Sequence, residues 1–138
     1  MRQSLLDQGY LDEKFINLEQ LQDDSRPHFV EKMAAFFCRD STRVVGIIEK
    51  ALEKIPVDFN ELNGYMHYFK GTSSCIGAKK VIAKITELKE YCGEENAEGC
   101  LRTFQELKEE YTALKQKLQA YFQLLRQVGP KEIACRPL

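Results

Sequence analysis

From Phe29 onward the apolar residues Val30, Met33, Phe37, Val44, Ile48, Ala51 and Ile55 return in steps of three and four, the period of one helix face. The rhythm is interrupted around Asp40 and Ser41, and Pro56 ends it. The clearest run comes last. Cys100, Phe104, Leu107, Tyr111, Leu114, Leu118, Tyr121 and Leu125 alternate steps of four and three, the seam of a bundle helix of about thirty residues. Gly129-Pro130 is predicted to terminate it. Two further helices lie between these runs, one from Val57 or Asp58 to Ile76-Gly77 and one from Ala78 to Cys92, ended by Gly93. Two shorter ones precede them. Gln3 to Gln8 is amphipathic and ends at Gly9. Asp12 can cap a helix carrying Phe15, Leu18 and Leu21, which the segment Asp23 to Pro27 stops, with Pro27 suited to the first turn of the next. No segment alternates as a strand does. Long amphipathic helices joined by short turns predict an all-α bundle: one domain over residues 1–128, followed by a mobile tail over 129–138.

A chain of 138 residues can bury a single core without staples. The net charge of -1 supplies no global attraction to nucleic acid or to an anionic membrane, so neither is expected as a partner. No apolar run approaches the ~20 residues of a membrane span, and the N-terminus lacks the apolar run of a secretory signal. The five cysteines (Cys38, Cys75, Cys92, Cys100, Cys135) include no CxxC pair, and two histidines offer no zinc spacing, so no metal site is expected. They read as reduced, mostly core-filling thiols of a cytosolic or nuclear protein. Cys135 is fourth from the end, but Arg136 and Pro137 stand where a prenylation signal needs aliphatic residues.

The candidate chemistry lies in Asn63-Gly64-Tyr65-Met66-His67-Tyr68-Phe69-Lys70-Gly71. A glycine inside a helix costs about 1 kcal/mol relative to alanine, and this helix carries two. At about 100° per residue, Asn60, Asn63, Gly64, Lys70, Gly71 and Ser74 fall within roughly 60° of His67. Phe59, Leu62, Met66, Phe69 and Ser73 form a second stripe about 120° away, with Ile76 at its edge, and this stripe is the core face. His67 therefore belongs to a polar, small-residue face turned to water. Gly64 at i-3 and Gly71 at i+4 flank it and leave a clearing that another protein can approach, and Lys70 at i+3 brings an ammonium beside the ring. An imidazole in water is largely neutral, and hence nucleophilic, at cellular pH. No carboxylate sits at i±3 or i±4 to orient the ring as a general base. The arrangement suits acceptance of a phosphoryl group, whose negative charge the lysine offsets. An inert surface histidine on a helical adaptor is the competing reading of the same spacing.

The run His67-Tyr68-Phe69-Lys70-Gly71-Thr72-Ser73-Ser74-Cys75-Ile76-Gly77-Ala78 resembles the phosphorylation-site helix of plant histidine-containing phosphotransfer (HPt) proteins, His-Gln-x-Lys-Gly-Ser-Ser-Ser-Ser-Ile-Gly-Ala. Leu21 to Asp24, Pro27 to Val30 and Phe36 to Ser41 are also similar to that family, so the likeness covers nearly the whole chain. It implies an HPt-type four-helix bundle with one or two additional N-terminal helices. It implies a monomeric phosphocarrier, without autonomous catalysis or intrinsic cofactor, in a multistep two-component phosphorelay. Phosphoryl would pass from the receiver domain of a hybrid sensor histidine kinase to His67, and on to a response-regulator aspartate. Mg²⁺ and the catalytic carboxylates would belong to the partner receiver. Cytokinin signalling and residence in cytoplasm and nucleus are implied as well. His67 would be the phospho-acceptor, Lys70 the charge partner, Gly71 and Gly64 the clearance for the partner, and Asn63, Tyr68 and Ser74 the flanking residues.

Tyr68 departs from the family's glutamine and forfeits any hydrogen bond that amide makes to the phosphoryl group or the partner. Thr72 and Cys75 replace serines with little expected effect. His28, where the family more often carries an acidic residue, reads as a solvated helix-start residue. The nucleophile is retained, so the chain is not read as a histidine-lacking decoy. The alternative left open is a receiver-binding adaptor that damps the relay with little or no transfer.

Overall fold

The computed structural model describes the backbone of residues 2–135 and the side chains of residues 2–127. Six helices follow one another: α1 (Arg2–Asp7), α2 (Glu13–Gln20), α3 (Phe29–Glu53), α4 (Phe59–Ile76), α5 (Lys79–Gly93) and α6 (Ala97–Cys135). The last four pack in a closed ring, α3 on α4, α4 on α5, α5 on α6 and α6 on α3, while α2 lies against α3 and α4. The turns between the ring helices are short, which makes chain neighbours antiparallel. This is the expected four-helix bundle with two additional N-terminal helices.

Local chemistry sets the helix ends. Gly9 adopts φ 77°, and the Tyr10 N–H behind it reaches back to the Leu5 carbonyl at 3.0 Å, closing α1. The Asp12 carboxylate accepts from Lys14 N at 2.9 Å, and that of Asp58 accepts from Glu61 N at 3.1 Å, so α2 and α4 are both capped. His28 is exposed and holds the N-cap position of α3 with no side-chain cap bond, consistent with its reading as a helix-start residue. Pro27 stands two residues ahead of α3 rather than in its first turn.

The expected interruption at Asp40 and Ser41 is absent, and α3 runs unbroken through both. Two poor helix formers cost only about 0.5 kcal/mol each. Burial of Phe37, Cys38, Val44 and Val45 on either side outweighs that, at about 1.5–3 kcal/mol for a large apolar side chain. The final helix likewise continues across Gly129-Pro130 to Cys135, for 39 residues in all. An interior proline costs a helix about 3 kcal/mol and a glycine about 1 kcal/mol, penalties that disfavour a helix without forbidding it. The tail expected over 129–138 thus begins as helix; residues 136–138 lie outside the described residues.

The core is one cluster drawn from all six helices, with Phe15, Phe37, Phe69 and Phe104 among its fully buried side chains. The α6 seam from Cys100 to Tyr121 is buried, as its spacing predicts, while Leu125 is partly buried. Tyr111 carries the seam's polar contact: its ring meets Phe37 and Phe69 edge-on, and its hydroxyl donates to the Cys38 carbonyl at 3.0 Å. Among the described residues no helix is long and apolar enough to cross a membrane.

Candidate functional site

Helix α4 divides its faces as the sequence requires. Leu62, Met66, Phe69 and Ser73 are fully buried, Ile76 nearly so, and Phe59 is half-buried. Asn60, Asn63, Gly64, His67 and Gly71 are exposed on the other side, with Lys70 and Ser74 at the margin. A Cβ placed on Gly64 or Gly71 would meet nothing within 4 Å. The clearing around His67 is therefore open to solvent, and the glycines maintain it at a cost in helix propensity that packing does not explain.

Neither ring nitrogen of His67 has a hydrogen-bond partner among the described residues, so both are available to a reactant. Lys70 forms no ion pair among them either; its ammonium is uncommitted and one turn from the imidazole. No group of His, Cys, Asp and Glu suited to a metal occurs among the described residues.

Sequence reasoning missed the contact on the far side of His67. Tyr68 does not lean toward the imidazole. Its hydroxyl crosses to α3 and donates to Asp40 Oδ2 at 2.7 Å, and Arg43 grips the other oxygen of that carboxylate at 2.8 Å. The Arg43 guanidinium lies 5.9 Å from the centroid of the Tyr68 ring, within cation–π range. Burial pushes the Asp40 carboxyl up, but the bonds from Arg43 and Tyr68 outweigh it and hold the group below its ordinary value. The same bond, received by Asp40, raises the Tyr68 phenol. Asp40 thus stays ionised and compensated, and the tyrosine is tethered. A signal existed in the Asp40-x-x-Arg43 spacing on a helix, but only the α3–α4 packing brings Tyr68 to it.

Comparison with known proteins agrees with this geometry. The Hpt domain profile matches residues 32–117. The chain is 56% identical to histidine-containing phosphotransfer protein 4 of Arabidopsis thaliana, over 84% of this chain and 91% of that protein. It is 50% identical to pseudo histidine-containing phosphotransfer protein 5 of Oryza sativa subsp. japonica, over 99% and 90% of the two chains. The crystal structure of the maize histidine-containing phosphotransfer protein ZmHP2 superposes with a TM-score of 0.88 at 31% identity, covering 91% of this chain and 92% of that one. The protein MtHPt2 from Medicago truncatula gives 0.87 at 34% identity, covering 99% and 90%. A bundle of this topology, with a bare histidine on the exposed face of α4, belongs to the histidine-containing phosphotransfer family of phosphorelay proteins.

Proposed function

We propose that His67 is the phospho-acceptor of a phosphorelay carrier. It takes phosphoryl from the aspartyl-phosphate of a hybrid sensor kinase's receiver domain and passes it to a response-regulator aspartate. The observation that carries this reading is the solvent-open imidazole between two side-chain-free positions. In the accepting step the lone pair of a ring nitrogen forms the N–P bond while the acyl-phosphate P–O bond breaks and the aspartate leaves as carboxylate. The other ring nitrogen keeps or loses its proton to solvent. Lys70 offsets the charge that arrives. The receiver supplies Mg²⁺ and the acidic residues that hold it, and the carrier contributes the nucleophile, the ammonium and an unobstructed approach. Gly64 and Gly71 provide that approach, Asn63, Tyr68 and Ser74 border it, and Phe36 and Leu21 are exposed apolar residues on the early part of the chain. We assign the relay to cytokinin signalling between cytoplasm and nucleus, with the carrier acting as a monomer.

Incubation with a phosphorylated receiver domain and Mg²⁺ should label the protein with an acid-labile, base-stable phosphate. His67→Gln should abolish the label and leave the circular dichroism spectrum unchanged. A normally labelled, folded mutant would reject the assignment.

A second reading is that the chain docks receivers but transfers little, damping the relay. One structural observation favours it: the Tyr68 hydroxyl is engaged by Asp40, so it is not offered to a phosphoryl group on His67. The identity to a rice protein designated pseudo points the same way. Tyr68→Gln decides between them, since a damping protein should gain transfer rate from the amide.

A further inference from the structure

Tyr68 is 45% exposed, yet it is not a loose surface side chain. Its hydroxyl is held by Asp40 at 2.7 Å, and Arg43, fixed to the same carboxylate, lies against its ring. Asp40 is itself well placed to hold, with its side chain only 11% exposed. Two side chains of α3 thus fix one aromatic ring of α4 beside the clearing around His67. On the helical wheel Lys70 stands about 60° to one side of the imidazole and Tyr68 about 100° to the other. Tyr68 is thus the exposed aromatic residue next to His67 in the chain, on the side of α4 that faces α3.

Because the hydroxyl is already bonded within the chain, the ring offers a partner its carbon edge and not a hydrogen-bond donor. Because it is already ordered, contact with it loses little side-chain freedom on binding. An exposed, pre-ordered tyrosine beside an arginine is the kind of residue that dominates protein–protein affinity. Phe36 is half exposed and lies one turn before Asp40 on α3, so the apolar surface continues away from the clearing along that helix.

We propose that Tyr68, clamped by Asp40 and Arg43, is a specificity-determining residue of receiver docking. It selects receivers that present an apolar side chain opposite the ring, and it acts on affinity rather than on the transfer step. This rests on the phosphocarrier reading above for the identity of the partner. The alternative partner surface, one presenting a carboxylate to Arg43, meets a guanidinium whose charge Asp40 already offsets and gains less from it.

The test uses the full chain and the isolated receiver domain of a plant hybrid kinase bearing beryllofluoride as an aspartyl-phosphate mimic. Binding is measured by calorimetry at low and at high salt. Tyr68→Ala should weaken binding about tenfold at both salts, because the lost contact is apolar. Tyr68→Phe keeps the ring but frees it, and should weaken binding about threefold, as should Asp40→Asn. The maximal phosphotransfer rate at saturating receiver should be unchanged in all three. Wild-type affinity in both tyrosine variants, or a loss that vanishes at high salt, would overturn the proposal. So would a changed maximal rate with unchanged affinity, the outcome that favours the damping reading. The phospho-acceptor assignment is read separately, by labelling of His67→Gln: a folded mutant that still labels rejects that assignment whatever the affinities of the Tyr68 variants.

Discussion

The Asp12 backbone N–H donates to the Gly77 carbonyl at 3.0 Å, tying the start of α2 to the turn that closes α4. Gly77 sits at φ 72°, and a Cβ there would collide with the Asp12 carboxylate and approach Phe15 N to 3.1 Å. Gly77→Ala should therefore destabilise the protein by about 2–4 kcal/mol, combining left-handed strain with overpacking. Urea unfolding monitored by circular dichroism measures it. A loss below about 0.5 kcal/mol would mean that the α2–α4 junction yields freely.

Gly64 and Gly71 behave oppositely, since both face open space within a regular helix. Gly71→Ala should stabilise the bundle by about 0.5–1 kcal/mol while slowing phosphotransfer, and Gly71→Glu should abolish docking. Gly64→Ala should follow the alanine pattern. Thermal melts and a transfer assay on the same samples give both readouts. A Gly71→Glu protein that still exchanges phosphoryl at the wild-type rate would remove the clearance argument.

Lys70→Gln is expected to leave the melting temperature unchanged, because its ammonium pairs with nothing among the described residues. The phosphorylated level of His67 reached from a given receiver should drop by about tenfold, the scale of one charge near a phosphoryl group at a partly screened site. Lys70→Arg should retain most of it. Equal labelling of the glutamine variant would assign the lysine to the surface alone.

The thiols separate by burial. Cys75 is exposed, whereas Cys38, Cys92 and Cys100 are buried. In a Cys135→Ser background a thiol reagent should modify Cys75 rapidly and the other three only on unfolding. Burial, with Cys92 adding to it, pushes the Cys100 thiol from 9.0 up to about 11. From pH 9 to about 11 the unfolded chain releases a proton that the folded chain keeps, so stability falls as pH rises through that window. Cys38, Cys92 and Tyr111 shift upward as well, each chiefly from burial, and add to the slope. Urea midpoints across the window should decline, and Cys100→Ala should flatten the decline.

Much of this molecule could be read before it folded. The seam from Cys100 to Leu125, the Asp12 cap, the end of α4 at Ile76-Gly77 and the division of α4 into a core face and a bare histidine face are consequences of periodicity and local hydrogen bonding, which depend on neighbours in the chain. The break expected at Asp40 and Ser41 illustrates the limit of that reasoning. Both residues disfavour helix locally, but burial on the flanking turns overrides them, and that burial exists only because α4 and α6 are present.

The exposure and surroundings of His67 follow from residues within one turn of it, so the amino-acid order alone specified them. Tyr68 is different. A helical wheel places it beside the site but leaves its hydroxyl without a partner, because Asp40 lies 28 residues away in the chain. Only the packing of α3 against α4 brings the phenol, the carboxylate and the Arg43 guanidinium together. Side-chain contacts across helices depend on register and rotation in space, quantities that no local spacing encodes.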